Sequence, residues 1–328
     1  MSKISGRILI LFCLILLLTV NLFAEKITVW TWYDGGLGTV FRDLVQKEFV
    51  AKTGIEVEIL SVPIPDMVNK LLLAYLGGDA PDIVELYTNQ VVELGVRGAL
   101  MDLSVFPDFD KTVDGLYPNY LKQLSYKNAT FAFPCEIAWP WTYVRKDLFQ
   151  EYGLDIPNTW DELKVVSTKL KARGLGTYYD HTGDASTVLA SKFLALVYQR
   201  KTDIYTPDGT ASNLDAPEVV DAFNLFTSLY TDHGLLVEDP IITTFANGDT
   251  PLGIMQAWYY YAFENAAPHL AGKWTVAEIP GTIDSSGTID RSSNSNGLSW
   301  SIVESTKKPD LAWEFMKWLA SPSFTENF

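Results

Sequence analysis

Gly77-Gly78-Asp79-Ala80-Pro81-Asp82-Ile83-Val84-Glu85-Leu86-Tyr87-Thr88-Asn89-Gln90 decides the fold. The paired glycines close a preceding helix, and Pro81 prevents its continuation. Asp82 to Leu86 has an apolar centre and the length of a short strand. Four hydrogen-bonding side chains then follow, Tyr87, Thr88, Asn89 and Gln90, just past the strand's carboxyl end. In open α/β sheets that is where ligands bind. The same residues also fit an ordinary βα connection, so the flanking chain has to be read with them.

Upstream, Ile27-Thr28-Val29-Trp30 reads as a first strand. The spacing of Val40, Phe41, Leu44, Val45 and Phe49 predicts a helix from Leu37 to Lys52, stopped by Thr53-Gly54. Glu56 to Leu60 alternates as a strand with one wetter face. Met67, Val68, Leu71, Leu72, Tyr75 and Leu76 mark the next helix. Strand, helix, strand, helix, strand implies a parallel sheet, so the first lobe is α/β.

Downstream the pattern changes near residue 130. Thr130 to Pro134 reads as a strand running into a crossover, and Trp139 to Val144 as an aromatic strand. Thr159 and Glu162 have capping-box spacing. Helical patterns dominate from Thr187 to Gln199 and from Pro217 to Asp232. Ser285 to Asn296 reads as a loose polar linker, Leu298 to Val303 as a strand, and Leu311 to Ala320 as an amphipathic helix.

The first 24 residues stand apart. Lys3 and Arg7 precede an apolar run from Ile8 to Val20, and Asn21-Leu22-Phe23-Ala24 offers a small residue for cleavage. This is the pattern of a secretory signal peptide, too short for a membrane span. Phe12 before Cys13 argues against lipid attachment there, so a soluble exported chain in the periplasm or outside the cell is expected rather than a lipoprotein. Removing Lys3 and Arg7 leaves 23 basic against 40 acidic side chains, a net charge of −17. Such a chain repels nucleic-acid phosphates and anionic headgroups alike. Cys135 alone remains after cleavage, so no internal disulfide is possible. A buried filler beside Pro134 is expected of it rather than a reactive thiol. About 300 residues exceed one compact core, and two lobes follow.

Five landmarks in order carry a resemblance. They are Ile27 to Gly36, Gly77 to Leu86, Pro157 to Leu163, Phe245 to Trp258, and Ser299 to Leu319. Together they resemble the extracellular solute-binding proteins of bacterial ABC importers, the family that includes maltose-binding protein. The resemblance implies an α/β, two-lobed periplasmic-binding-protein-like fold, with a ligand cleft between lobes joined by a hinge. It places residues 25–134 and 272–328 in lobe 1 and residues 135–271 in lobe 2. Family members usually continue for several dozen residues past the Leu311 to Ala320 helix. That departure implies an incomplete second lobe and puts an aromatic ligand contact in question.

The implied function is carbohydrate capture by hinge closure and delivery to a membrane permease, by a monomer needing no cofactor. Sugars present apolar C–H faces and a rim of hydroxyls, which flat aromatics and rigid amides or carboxylates match. The chain has 10 Trp and 16 Tyr. Trp258 stands where the resembling family places a sugar-stacking aromatic, with core packing as its alternative. Trp32, Tyr33 and Asp34 follow the first strand where family members contact ligand, although Asp34 also suits a helix cap. Asn89 and Gln90 match polar contact positions that are charged in the maltose-binding branch, which puts the same sugar in doubt. Glu136 and Trp139 follow the first crossing between lobes. Tyr178, Asp180 and His181 form a polar aromatic loop for which a structural role is favoured.

Enzyme signatures are missing: no GxGxxG, GxxxxGK[ST] or GxSxG, and no metal spacing among His181, His233 and His269. A polyamine or other small ion is the alternative ligand, since an acidic aromatic cleft suits a cation. A secreted glycoside-processing enzyme is the alternative of another class. A chain with an incomplete second lobe that binds nothing well is a third.

Overall fold

The computed structural model describes residues 25–116, 118–180 and 190–328. The signal-peptide reading of residues 1–24 and the placement of His181 lie outside them. Along the chain run β1 (Lys26–Thr31), α1 (Gly35–Leu44), β2 (Glu56–Ser61), α2 (Ile64–Gly77), β3 (Ile83–Tyr87) and α3 (Thr88–Val96). Next come β4 (Phe133–Ala138), β5 (Pro140–Val144), α4 (Trp160–Lys171), β6 (Thr177–Tyr179), α5 (Ala190–Tyr198) and α6 (Pro217–Thr231). The last part holds β7 (Leu252–Gln256), α7 (Tyr259–Ala266), β8 (Thr275–Ala277), β9 (Asn296–Ile302) and α8 (Pro309–Leu319).

The chain divides into two compact units, residues up to Cys135 with Leu298–Phe328, and Glu136–Gly297. In the first, the strand order is β2-β1-β3-β9-β4. β1 is parallel to β2 and β3, and β9 returns antiparallel to β3. The helix predicted from Leu37 begins at Gly35 and passes through a π turn, Val45–Val50, before ending at Thr53. Its apolar face, Phe41, Val45 and Phe49, packs on Trp300, Phe315 and Phe324. Each such buried side chain contributes about 1.5–3 kcal/mol. As the sequence suggested, Gly78 ends α2 in the left-handed region at φ 80°, a conformation that costs a side chain strain.

Asp82 acts as a staple. Its carboxylate accepts the Thr28 amide at 2.8 Å, the Thr28 hydroxyl at 3.1 Å and the Thr306 hydroxyl at 2.5 Å. It thereby joins β1 to the segment entering α8, across more than 200 residues of sequence.

The second unit has the strand order β8-β5-β7-β6. β6 and β7 are parallel, while β5 runs antiparallel to β7 and to β8. The second boundary lies at 297/298 rather than near residue 272. Thr275 to Ala277 hydrogen-bonds along Thr142 to Val144 as an edge strand, and the Pro280 carbonyl accepts from the Gln199 amide. The stretch read as a loose linker begins inside a hairpin, Thr282–Ile283 against Ile289–Asp290. At the start of α4, Thr159 accepts the Glu162 amide at 3.2 Å. The Glu162 carboxylate reaches back one residue further than a capping box requires, to the Asn158 amide at 2.6 Å. No helix among the described residues is long and apolar enough to cross a membrane.

Candidate functional site

In the first unit, the parallel strands β1 and β3 deliver two short segments to one sheet edge: Trp32, Tyr33 and Asp34 after β1, and Thr88, Asn89 and Gln90 after β3. β9 starts at that edge, with Leu298 opposite Tyr87. The structure separates the sequence candidates. Tyr33 is only 4% exposed and packs its ring against Phe41, Trp300 and Phe328, so it is a core residue. Asp34 caps α1, accepting the Gly35 amide at 2.7 Å. Gln90 accepts the Tyr87 amide at 3.2 Å and so completes the entry to its own helix. Asn89 is exposed in the first turn of α3, and Trp32 is partly buried. The Trp32 indole N–H is buried without a hydrogen-bond partner in the described structure.

Gly38 fixes this turn. A Cβ at that position would lie 2.8 Å from the Tyr33 carbonyl oxygen and 3.0 Å from an Arg42 nitrogen. The approach to the backbone oxygen is too close for a side chain, so glycine lets α1 pack against the residues that follow β1.

Beneath the turn lies a group the sequence reading left inside the strand. Glu85 is 0% exposed, and its carboxylate accepts the Thr31 hydroxyl at 2.5 Å and the Trp32 amide at 3.2 Å. The Cys135 thiol approaches its other oxygen at 3.5 Å, and the Tyr33 hydroxyl lies 3.0 Å from Cys135 Sγ. Cys135 is therefore a member of a polar network rather than apolar filler. Burial pushes the Glu85 carboxyl up to about 7, against the pull of hydrogen bonds from Thr31, Trp32, Cys135 and Tyr33. A charged residue between Val84 and Leu86 was the available signal.

In the second unit, the carboxyl ends of parallel β6 and β7 meet the start of β5. The Asp180 amide donates to the Ile254 carbonyl at 2.9 Å, and Pro140 stands opposite Gln256. Trp139, Asp180, Gln256 and Trp258 therefore share one end of the sheet. The Ala257 amide donates to the Trp139 carbonyl at 3.1 Å, and both indoles are open to solvent, 44% exposed at Trp139 and 47% at Trp258. The Trp258 ring lies on Tyr259, with centroids 3.8 Å apart and planes 23° from parallel. The Gln256 side-chain oxygen is buried without a hydrogen-bond partner in the described structure. Glu136, in β4, is partly buried, which raises its carboxyl pKa.

Tyr178 and Asp180 are buried, as the structural reading of that segment had it. Asp180 accepts the Tyr178 hydroxyl at 3.3 Å and lies 3.5 Å from the Lys192 ammonium, which is 0% exposed. Burial lowers the Lys192 pKa and the Asp180 charge opposes that shift. No cluster of His, Cys, Asp and Glu among the described residues has the arrangement to hold a metal ion.

A sheet with ligand-type side chains at its carboxyl edge, in each of two α/β units of which the first is discontinuous, is the arrangement expected of a solute-binding protein. A family model for bacterial extracellular solute-binding proteins matches residues 35–325. The chain belongs to that family. A binding protein of Brucella abortus (strain 2308) is 25% identical over 310 residues, covering 90% of this chain and 72% of its own length. The maltotriose-binding protein of Pyrococcus abyssi is 23% identical over 303 residues, covering 90% of this chain and 62% of its own. Among solved structures, the cyclic α-maltosyl-1,6-maltose binding protein of Arthrobacter globiformis superposes with a TM-score of 0.77. It is 23% identical and covers 92% of this chain and 77% of its own. The GacH receptor of Streptomyces glaucescens, solved unliganded and with acarbose, gives 0.77 at 20% identity, covering 93% and 78%. These likenesses establish the two-lobed α/β fold of the family.

Proposed function

We propose that this chain is the exported binding component of an ABC importer. In this reading it captures a neutral mono- or oligosaccharide by hinge closure and presents it to a membrane permease. The observation that carries the reading is the pair of exposed indoles, Trp139 and Trp258, at one end of the second unit's sheet. Flat apolar rings open to solvent suit the C–H faces of a sugar. Asn89, exposed at the carboxyl edge of the first unit's sheet, carries an amide of the kind hydroxyls need. Relatives named for maltotriose and diacetylchitobiose binding support the carbohydrate class. Export through a cleaved N-terminal signal fits a family whose members work outside the cytoplasm.

The polyamine alternative asks for free carboxylates beside the aromatics. Here Asp34 is engaged by the Gly35 amide and Asp180 by Lys192, which favours a neutral ligand. Binding followed by release, with no bond made or broken, is the role we assign. A separate groove of about 450 Å³ in the second unit does not compete as a stacking site. Its one lining aromatic, Trp160, is buried and donates its indole N–H to Gln199.

The test is a thermal-shift and calorimetric screen of the purified chain against neutral sugars, sugar phosphates and polyamines. A ligand that binds only the native state raises the melting temperature by an amount set by its concentration relative to Kd. A concentration-dependent shift with one class of neutral sugar, and saturable heat of binding in the calorimeter, are expected. A response confined to polyamines or anions would overturn the reading.

A further inference from the structure

The carboxylate of Glu85 is fully buried in the first unit, yet it makes no ion pair among the described residues. A buried carboxyl without a cation is costly when ionised, and an apolar residue in its place would cost nothing of the kind. What the group touches is the start of the proposed ligand-facing turn. One oxygen takes both the Thr31 hydroxyl and the Trp32 amide, and the Tyr33 amide in turn donates to the Thr31 hydroxyl oxygen at 3.2 Å. Its other oxygen faces Cys135, the last residue of the unit before the chain crosses to the second. One carboxylate thus joins the Trp32 turn to the strand that carries the crossing.

We propose that Glu85 is a positioning residue: its ionised carboxylate anchors the Thr31 to Tyr33 turn, and protonation loosens that anchor and shifts the setting of Trp32. An ionised carboxylate accepts from all its neighbours at once, and these charge-assisted hydrogen bonds are the stronger ones. A protonated one gives up part of that capacity and becomes a donor. The titratable groups facing Glu85 are the Tyr33 phenol, from the turn, and the Cys135 thiol, from β4. Its cross-strand neighbour on β9, Trp300, does not titrate. No ionised side chain among the described residues sets the state of Glu85, which leaves solution pH and these hydrogen bonds to do so. Its carboxyl, raised to about 7 by burial, changes state near neutrality.

The inference rests on the proposed binding role only for its effect on affinity, so the first readout needs no ligand. Tryptophan fluorescence of the purified chain, followed from about pH 5.5 to about pH 8.5, brackets neutrality well above the ordinary carboxylate range. A single transition near pH 7 is expected. Its amplitude should fall in Trp32→Phe, and the transition should vanish in Glu85→Gln, which keeps the shape and an acceptor but cannot ionise. In Thr31→Val it should move to higher pH, because the hydroxyl favours the ionised form. A merely structural Glu85 would give no such shift. An unchanged transition in Glu85→Gln, or none in the native chain, would overturn the proposal.

With maltotriose as probe, affinity should be about threefold higher above the transition than below it, as an anchored turn raises the competent fraction. In Glu85→Gln it should be independent of pH. Pronounced pH dependence retained in that variant would count against the proposal. If maltotriose binds at no pH, the choice of sugar fails, and the ligand-free titration still decides the role of Glu85.

Discussion

The Thr31 hydroxyl donates to the Glu85 carboxylate at 2.5 Å, from one parallel strand to its neighbour, with both residues fully buried. The pair sits where β1 gives way to the turn bearing Trp32, so the stability of the lobe and the shape of the edge proposed to meet ligand depend on the same carboxyl.

The pH dependence of stability follows in sign from the raised carboxyl. The folded chain holds the Glu85 proton up to about pH 7, whereas the unfolded chain releases it near 4.5. The stabilisation is therefore complete below the unfolded value and lost as pH rises through the folded one. At 1.36 kcal/mol per unit the window amounts to about 3 kcal/mol. Glu85→Gln should match the native chain near pH 4.5 and exceed it increasingly towards pH 8. Denaturant melts at a series of pH values check this, and a constant difference between the two chains would contradict it.

Tyr33 should matter for stability and not for ligand. Tyr33→Phe removes the hydroxyl facing Cys135 and keeps the ring among Phe41, Trp300 and Phe328. A loss of about 1 kcal/mol in stability is expected. Carbohydrate affinity should change by less than about twofold, well under the tenfold that 1.4 kcal/mol represents. Calorimetric titration of the variant measures it.

Breaking the buried ion pair of the second unit should be severe. Lys192→Met removes the buried ammonium 3.5 Å from the Asp180 carboxylate, at a cost of about 3–5 kcal/mol. Adding Asp180→Asn should restore part of that loss, since the charge is then gone. Thermal melts of the two variants make the comparison.

Gly38→Ala forces a methyl group to within 2.8 Å of the Tyr33 carbonyl. The turn or α1 must move, at a cost of about 1–3 kcal/mol for an overpacked site. Weaker ligand binding should accompany the lower melting temperature, because the displaced residues adjoin Trp32.

How far the sequence could be read follows from what each signal measures. Hydrophobic spacing placed β1, α2 and the strand at Ile83, because burial in a parallel sheet selects for such spacing. It said nothing of partners. For Tyr33 and Asp34 the resemblance implied ligand contact, and only the packing around Phe41 and the Gly35 amide reveals their structural work. Glu85 went unnoticed because a strand residue's hydrogen bonds come from segments far away in sequence, here Thr31 and Cys135. The second crossing was misplaced because β8 is only three residues long and joins its sheet through backbone pairing with β5. Trp139 and Trp258 were legible as aromatics, and their exposure needed coordinates.

The most direct measurement is a calorimetric titration of the native chain and of Trp258→Ala with the neutral sugar that gives the largest thermal shift. Aromatic contact beyond simple burial is worth about 0.5–1.5 kcal/mol, and lost apolar contact adds to it. The account predicts saturable binding by the native chain, little affected by salt, and a loss of about tenfold or more in the variant. Equal affinity in the two chains, or binding confined to a polyamine and suppressed by salt, would contradict it.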